Sequence, residues 1–295
     1  MASIINKNPL VTIIMSSFNH EKFVEKAVLS VVNQTYKNIQ FIVIDDGSKD
    51  NSPAILQKLQ DQYDFYLECR TNHGLVKTLN YALKNIATGK YVCVLDSDDY
   101  FVLDKVEKQV AMMELHPECG LCYSPLYYID ANDTLISDVI DEKNTKTGYL
   151  FEEFFRGDFH IPDGGVLIPL RVLQEIGYYD EDVVLEDYQL WFKILYKYPA
   201  CYINKHLTYY RTHSSNVSNN EHQMLLYEIQ VVDKWKEHPI YEKSKPYLFN
   251  RYFAKFAKYD KKRAIEYLFL ILQYKMTYTN KNLYKGLRRL LFSWK

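Results

Sequence analysis

Long apolar runs are missing from this chain of 295 residues: no stretch of 18 consecutive apolar side chains occurs, and no secretory-signal pattern opens it. The expectation is a cytoplasmic protein, or one peripheral to a membrane, large enough for one large domain or two. Cysteine is scarce and odd in number, five in all, which without a secretory signal argues against a disulfide framework. His116, Cys119 and Cys122 hint at zinc, but no second ligand pair follows, so they read as core cysteines. Glycine-rich phosphate loops are also absent. Neither G-x-G-x-x-G nor a Walker A sequence occurs, which excludes the dinucleotide fingerprint and the P-loop NTPases. Net charge is nearly absent, −1 overall, yet it is polarised: from residue 241 onward there are 14 Lys/Arg against 3 Asp/Glu, leaving 22 basic and 34 acidic residues in positions 1–240. The C-terminal end calls for an acidic partner; no nucleic-acid-binding motif accompanies the charge, so nucleic acid is not expected.

The first hundred residues alternate strand and helix signals. Leu10–Met15, Ile39–Ile44, Phe65–Cys69 and Tyr91–Leu95 read as strands. Glu21–Val32, Pro53–Gln60, Leu75–Ala87 and Lys105–Leu115 read as the helices between and after them. Such alternation implies parallel βαβ units. Further on, Leu121–Ile129, Gly165–Ile168 and Cys201–Tyr209 are strand candidates, and Glu186–Tyr196 is a helix. From Glu221 onward the pattern is helical, with Ile265–Leu272 expected in the core. The organisation expected is an α/β domain over residues 1–218, in two halves of about 1–100 and 101–218. A basic helical extension over 219–295 follows.

Carboxylates collect at strand ends. Asp96-Ser97-Asp98-Asp99 closes the run Tyr91–Leu95, at the sheet edge where open α/β folds bind ligands. Hard divalent cations take oxygen ligands, so this run either holds such an ion or caps the helix that starts near Leu103. Asp45-Asp46-Gly47-Ser48 ends the second strand in the same way, and either accepts from a base-ring N–H or caps the next helix. The first strand ends in Ser16-Ser17-Phe18-Asn19, which offers hydroxyls, an aromatic face and an amide.

These segments together resemble the family 2 glycosyltransferases. The resemblance is carried by Val11–Asn19, Ser30–Tyr36, Val43–Ser48, Asn72-His73-Gly74, Asn80 and Asp96-Ser97-Asp98, in that order. Gly177–Glu181, Glu186–Trp191 and Tyr210-Arg211-Thr212-His213-Ser214-Ser215-Asn216-Val217-Ser218 continue it to about residue 218. It implies the GT-A fold: a mixed, mostly parallel, Rossmann-like sheet flanked by helices. It also implies a nucleotide-sugar donor, UDP-linked for preference, a glycan or lipid-linked glycan acceptor, and Mn²⁺ or Mg²⁺. By the same resemblance Asp46 binds the base, Ser16 and Phe18 shape the nucleotide pocket, and Asp96 faces the ribose or a metal-bound water. Asp98 holds the metal on the diphosphate, His213 helps hold diphosphate or metal, and Asp187, next to Glu186 on the acceptor side, is the catalytic base.

Gly164 and Gly165 are expected to shape the sugar pocket, and Trp191 either stacks on an acceptor sugar or packs in the core. Departures are Ser16 where proline is common, and Leu79 where arginine often precedes Asn80, with Lys77 a substitute. No Gln-x-x-Arg-Trp motif occurs, which speaks for one sugar per encounter rather than processive synthesis, as in lipooligosaccharide or polysaccharide assembly. A sugar nucleotidyltransferase would need a glycine-rich loop after strand one, and Ser16–His20 has no glycine. The rival of another class is a catalytically silent GT-A-fold binding or scaffolding protein; loss of Asp98 or Asp187 would mark it, and both are present.

Leu283, Leu287, Leu290, Leu291 and Trp294 fall at helical spacing among Lys281, Lys285, Arg288, Arg289 and Lys295. A basic amphipathic helix of this kind lies on an anionic membrane or packs on its own domain with a solvated basic face.

Overall fold

The four apolar runs of the first hundred residues become parallel strands of one sheet in a computed structural model, which describes residues 8–162, 164–213, 220–274 and 281–292. They are β1 (Val11–Ser17), β2 (Ile39–Asp45), β3 (Tyr66–Cys69) and β4 (Tyr91–Asp96). Between them run α1 (Val24–Val32), α2 (Ser52–Gln60) and α3 (Leu75–Asn85). β1 is buried along nearly its whole length, as a strand covered by helices on both faces must be. Val24, Ala27, Val28 and Val31 form the buried stripe of α1 against this sheet.

The later elements are β5 (Tyr100–Phe101), α4 (Lys105–Leu115), β6 (Leu121–Tyr123), β7 (Leu126–Ile129), β8 (Leu135–Ser137) and α5 (Phe151–Arg156). After them come β9 (Leu167–Pro169), α6 (Leu170–Ile176), α7 (Glu186–Lys197), β10 (Ala200–Tyr202) and β11 (Thr208–Arg211). The large sheet has seven strands in the order β10-β6-β9-β4-β1-β2-β3, with β9 antiparallel to both of its neighbours. A second sheet of four strands runs β5-β11-β7-β8.

Two expected strands turn out to be pairs. Leu121–Ile129 splits at Ser124-Pro125 into β6 and β7, which join different sheets, because proline has no N–H to continue the ladder. Cys201–Tyr209 likewise splits into β10 of the large sheet and β11 of the small one. The two breaks match: β6 pairs parallel with β10, and β7 pairs parallel with β11. That pairing also corrects the reading of the cysteines. Cys119 and Cys201 are disulfide-bonded across the β6 and β10 segments, while Cys93 and Cys122 are buried free thiols.

Two compact units emerge. One comprises residues 1–150, 161–182 and 190–214; the other takes 151–160, 183–189 and 215–295. The expected boundary at 218 lies outside the described residues, and the second unit gathers two earlier segments that a single cut would leave out. Its helices are α8 (Glu221–Asp233), α9 (Pro239–Tyr259), α10 (Lys261–Ile271) and α11 (Lys281–Phe292). Glu228 of α8 is buried and its carboxylate is paired with Arg251 and, at 2.9 Å, Lys255 of α9.

The C-terminal helices differ from expectation in which faces they bury. Leu283 and Gly286 face inward on α11, and a side chain at Gly286 would run into the Phe253 ring of α9. Within Ile265–Leu272, expected as core, Ile265, Phe269, Leu270 and Leu272 are exposed and only Ile271 is fully buried. Trp294 and Lys295 lie outside the described residues. Among the described residues no helix is long and apolar enough to cross a membrane.

Candidate active site

Register alone brings the strand ends together. Ser16 of β1 stands opposite Ile44 of β2 on one side and Asp96 of β4 on the other, and Ser17 stands opposite Asp45. The C-terminal edge of the sheet therefore carries Ser16, Ser17, Asp45 and Asp96 side by side, with half-exposed Phe18 just beyond. A cavity of about 250 Å³ lined by Lys90, Tyr91, Met113, Pro169, Leu170 and Arg171 lies at the start of β4, the opposite end of the strand from these carboxylates.

The turn after β4 is built tightly. Asp99 N–H donates to the Asp96 carbonyl at 3.0 Å, and the chain then enters β5, which pairs antiparallel with β11. Thr208 opposes Phe101 and Tyr209 opposes Tyr100, so the segment leaving the acidic turn lies against the segment leading to His213. Arg211 fixes that approach. Its backbone N–H donates to Asp99 Oδ1 at 2.7 Å, its Nε to the Asp98 carbonyl at 2.8 Å, and its Nη1 to the Asp130 carbonyl at 3.0 Å; Nη2 pairs with Asp133 at 2.6 Å. The guanidinium is almost wholly buried and lies over the Phe23 ring, 4.6 Å from its centroid.

His213 follows two residues later. Its Nε2 is 2.9 Å from Asp98 Oδ2, with both side chains largely shielded from solvent. Phe23 stacks on the His213 ring at 5.4 Å. A third group stands here that the sequence did not single out: His20, whose ligand atom together with those of Asp98 and His213 lies within 4.8 Å of its fellows. His20 Nδ1 is 2.8 Å from Ser97 Oγ, and its backbone N–H donates to Ser52 Oγ. The neighbouring loop bonds also hold it: Asn19 N–H to Ser48 Oγ, Lys49 N–H to Asn19 Oδ1, and Glu21 N–H to Asp50 Oδ2. Burial lowers the pKa of His20, Asp98 opposes and His213 reinforces, and the net shift is toward the neutral ring that binds cations. Burial raises Asp99 well above the usual carboxylate range, with Asp98 and Asp96 adding to it. The sequence cue for His20 and Arg211 was weak, since each meets its partners only through long-range pairing.

The aspartates after β2 are placed differently. Asp45 accepts from Ser48 N–H at 2.9 Å and from its hydroxyl at 2.6 Å. Asp46 Oδ1 accepts from Arg70 Nε and from His73 N–H, and Oδ2 from Gly74 N–H at 2.7 Å. Burial alone would raise the Asp46 pKa, but those donors outweigh it and the net shift is downward. With the Thr78 hydroxyl also set against this carboxylate, Asp46 holds the 70–74 loop and has room for at most one bond from a ligand. Gly47 belongs to the same joint: at φ +85° its Cα faces the Asn72 backbone, where a Cβ would come within 2.7 Å.

Gly165, at φ +69°, presses on Phe101 and on fully buried Lys105; its carbonyl accepts from Lys105 Nζ and, at 3.1 Å, from Gln109 Nε2. The Gly164 carbonyl accepts from Thr208 Oγ1 at 3.2 Å, and Asp163 lies outside the described residues. Asn80 is a clamp: it bonds the Tyr179 backbone in both directions and reaches Glu181 at 3.1 Å. Leu79 is core. Trp191 is only 3% exposed, so its ring packs inside and presents no face to an acceptor, which corrects the stacking reading. Glu186 and Asp187 form the first turn of α7 and group with the second compact unit. Ser214–Ser218 lie outside the described residues.

The family model of glycosyl transferase family 2 matches residues 12–176. The chain is 32% identical over 224 residues to the Escherichia coli UDP-Glc:alpha-D-GlcNAc-diphosphoundecaprenol beta-1,3-glucosyltransferase WfaP, covering 76% of this chain and 85% of that one. It is 28% identical over 277 residues to the uncharacterized glycosyltransferase MJ1057 of Methanocaldococcus jannaschii, covering 90% and 89%. It spans only 41% of a longer Rickettsia felis relative. Among solved structures, Staphylococcus aureus TarS in complex with UDP-GlcNAc superposes with a TM-score of 0.65 at 15% identity, covering 95% of this chain and 81% of TarS. The Pyrobaculum calidifontis mannosyltransferase PcManGT, in complex with GDP-Man and Mn²⁺, gives 0.62 at 16%, covering 98% and 88%. The chain thus belongs to glycosyl transferase family 2, a glycosyltransferase built on the GT-A fold.

Proposed function

We propose that the protein is an inverting, metal-dependent, non-processive transferase that moves a sugar from a UDP-sugar to a hydroxyl of a lipid-linked glycan in bacterial surface-glycan assembly. The observation that carries this is the meeting of Asp98 and His213, 2.9 Å apart, at the sheet edge that also bears Ser16, Phe18 and Asp96. An imidazole and a carboxylate, shielded and pinned by Arg211, suit a divalent cation. In this reading Asp98 and His213 hold the ion, and Asp96 faces the ribose or a water of the ion. When bound, the cation supplies charge neutralisation on the departing nucleoside diphosphate.

The chain's own groups do the rest. Phe18 and Ser16 line the nucleotide pocket, and Asp46 keeps the 70–74 loop against the base, lending it at most one hydrogen bond. Gly164 and Gly165, fixed by Thr208, Lys105 and Gln109, shape the wall beside the sugar. Asp187 takes the proton of the acceptor hydroxyl as it attacks; its place in the first turn of α7 sets it at the positive end of the helix dipole. A single base facing the leaving group implies one displacement and inversion at the anomeric carbon. A β-linked product from an α-linked donor agrees with the linkage in the name of the E. coli relative, whose printed acceptor is also diphosphate- and lipid-linked.

A lipid-linked acceptor would favour contact with the cytoplasmic face of a membrane. Supporting this, Ile265, Phe269 and Leu272 stand exposed at helical spacing on and just after α10, with Lys262, Arg263, Lys285 and Arg288 on α10 and α11 supplying positive charge. Phe269→Glu is expected to lower sedimentation with phosphatidylglycerol-rich vesicles without changing nucleotide binding; unchanged sedimentation removes the membrane contact.

The function is tested by nucleotide release from UDP-, GDP- and CMP-sugars with Mn²⁺, with and without EDTA, using a GlcNAc-diphosphate-lipid as acceptor. EDTA-sensitive release from a UDP-sugar, lost in Asp98→Asn and in Asp187→Asn, is the expected result. Release from none, together with no calorimetric binding of UDP in the presence of Mn²⁺, leaves the silent scaffold as the account.

A further inference from the structure

We propose that His20 is a third protein ligand to the cation held by Asp98 and His213, and that this set of two imidazoles and one carboxylate selects nitrogen-accepting first-row ions such as Mn²⁺ and Co²⁺ over Mg²⁺. The proposal rests on the metal-dependent reading above, but it is read out by metal binding alone.

Geometry comes first. The ligand atoms of His20, Asp98 and His213 all lie within 4.8 Å of one another, and the Asp98 and His213 atoms are 2.9 Å apart. Donors sharing one ion at bonds of roughly 2.1 Å sit about 3–4 Å from each other. The Asp98–His213 pair is already that close, and His20 stands within 4.8 Å of both, so a small side-chain adjustment brings all three onto one ion. The rings of His20 and His213 meet edge to face at 6.0 Å rather than stacking on each other. His20 Nδ1 lies 2.8 Å from Ser97 Oγ. With Nδ1–H donating to that oxygen, Nε2 carries the lone pair, and metal-ligating histidines are oriented in this way by a bond from their other nitrogen. Ser97 sits between Asp96 and Asp98, so the turn that supplies the carboxylate also sets the imidazole.

The support is rigid. The His20 backbone N–H is bonded to Ser52 Oγ at 3.1 Å, and the flanking bonds of Asn19 and Glu21 tie this loop to residues 48–51. Phe23 covers the other side, 6.1 Å from the His20 ring and 5.4 Å from that of His213. The chemistry then decides the ion. Mg²⁺ takes oxygen donors and gives up water reluctantly, whereas imidazole suits the first-row transition ions. A site with two imidazoles to one carboxylate is poorly matched to Mg²⁺.

The test is calorimetric titration of the nucleotide-free full chain with MnCl₂, CoCl₂ and MgCl₂, backed by loss of the free-Mn²⁺ paramagnetic resonance signal. The wild type is expected to bind Mn²⁺ and Co²⁺ at least about 10-fold more tightly than Mg²⁺. His20→Ala is expected to weaken Mn²⁺ by about 10–100-fold, to change Mg²⁺ little, and so to narrow the gap; Ser97→Ala, which removes only the orienting bond, falls between. Melting of the metal-free variants checks that each is folded. Should His20→Ala melt early, His20→Gln, which keeps a donor for Ser97 Oγ, carries the same comparison. Mn²⁺ bound by His20→Ala or His20→Gln as tightly as by the wild type, or an unchanged Mn²⁺/Mg²⁺ ratio, overturns the proposal, even if turnover is intact. His20-dependent Mn²⁺ binding in a protein that releases nucleotide from no sugar donor upholds this site and removes the transferase reading instead.

Discussion

Two aspartate turns stand at the same edge of the same sheet and are used differently. After β2, Asp45 and Asp46 are occupied by the protein itself: Ser48 on one, Arg70, His73 and Gly74 on the other. After β4, Asp99 is locked to Arg211, whereas Asp98 faces His213 and lies within a group of three ligand atoms. Both turns look alike as strings of residues. What separates them is the supply of donors: backbone N–H groups converge on the first and imidazoles on the second. A carboxylate engaged mainly by the protein's own donors is a fastener, and one facing imidazoles is suited to cation chemistry.

The contrast can be broken at several points. The largest effect is expected from Asp98→Asn, which should lower Mn²⁺-dependent nucleotide release about 10³-fold while leaving the melting temperature nearly unchanged, as loss of a charge-stabilising group commonly does. Activity retained within a few-fold would show that this turn is a fastener too. Arg211→Lys keeps the charge but loses the planar fork that reaches the Asp98 and Asp130 carbonyls and Asp133. Misplacing Asp98 and His213 is expected to cost about 10²-fold in kcat, with a lowered melting temperature; full activity would mean that the strut does not position them.

Asp46→Asn should act on stability first. Replacing a buried charged acceptor that serves three donors costs about 2 kcal/mol, read as a drop of several degrees in melting temperature. The pH dependence has a definite sign. Because the folded-state pKa of Asp46 is lowered, its contribution is present above the unfolded value near 3.8 and is lost as pH falls through the lowered folded value. The melting gap between wild type and Asp46→Asn should therefore be full at pH 7 and begin to close below about pH 4. A gap that does not begin to narrow as pH falls below about 4 would mean the charge is not what Asp46 contributes. The smallest effect is expected from Phe18→Ala: a rise of about 10-fold in donor KM from loss of base stacking, with unchanged melting.

How much of this was legible in the sequence depends on range. The first four strands and the helices between them could be read because apolar periodicity is local, and their shared edge followed from parallel topology. The splitting of Leu121–Ile129 and of Cys201–Tyr209 was hidden because each half pairs with a segment far away in the chain; Pro125 was the only local sign. Asp98 and His213 were singled out through motifs, and the structure brings them within 2.9 Å of each other. His20 was not singled out because its place beside Asp98 comes from a loop zipped to residues 48–52 and from Ser97 on another strand end. The intraprotein partners of Asp46 were hidden for a similar reason, since they belong to the loop before α3. Ile265–Leu272 looked like core because composition reports apolarity, not which faces a neighbour covers.

The most direct test of the contrast between the two turns is calorimetric binding of UDP with and without Mn²⁺ to the wild type, Asp98→Asn and Asp46→Asn. If the turn after β4 holds the cation on the diphosphate, Mn²⁺ tightens UDP binding in the wild type and in folded Asp46→Asn by the same factor, and not in Asp98→Asn. Equal tightening in Asp98→Asn, or its loss in folded Asp46→Asn alone, would contradict the account.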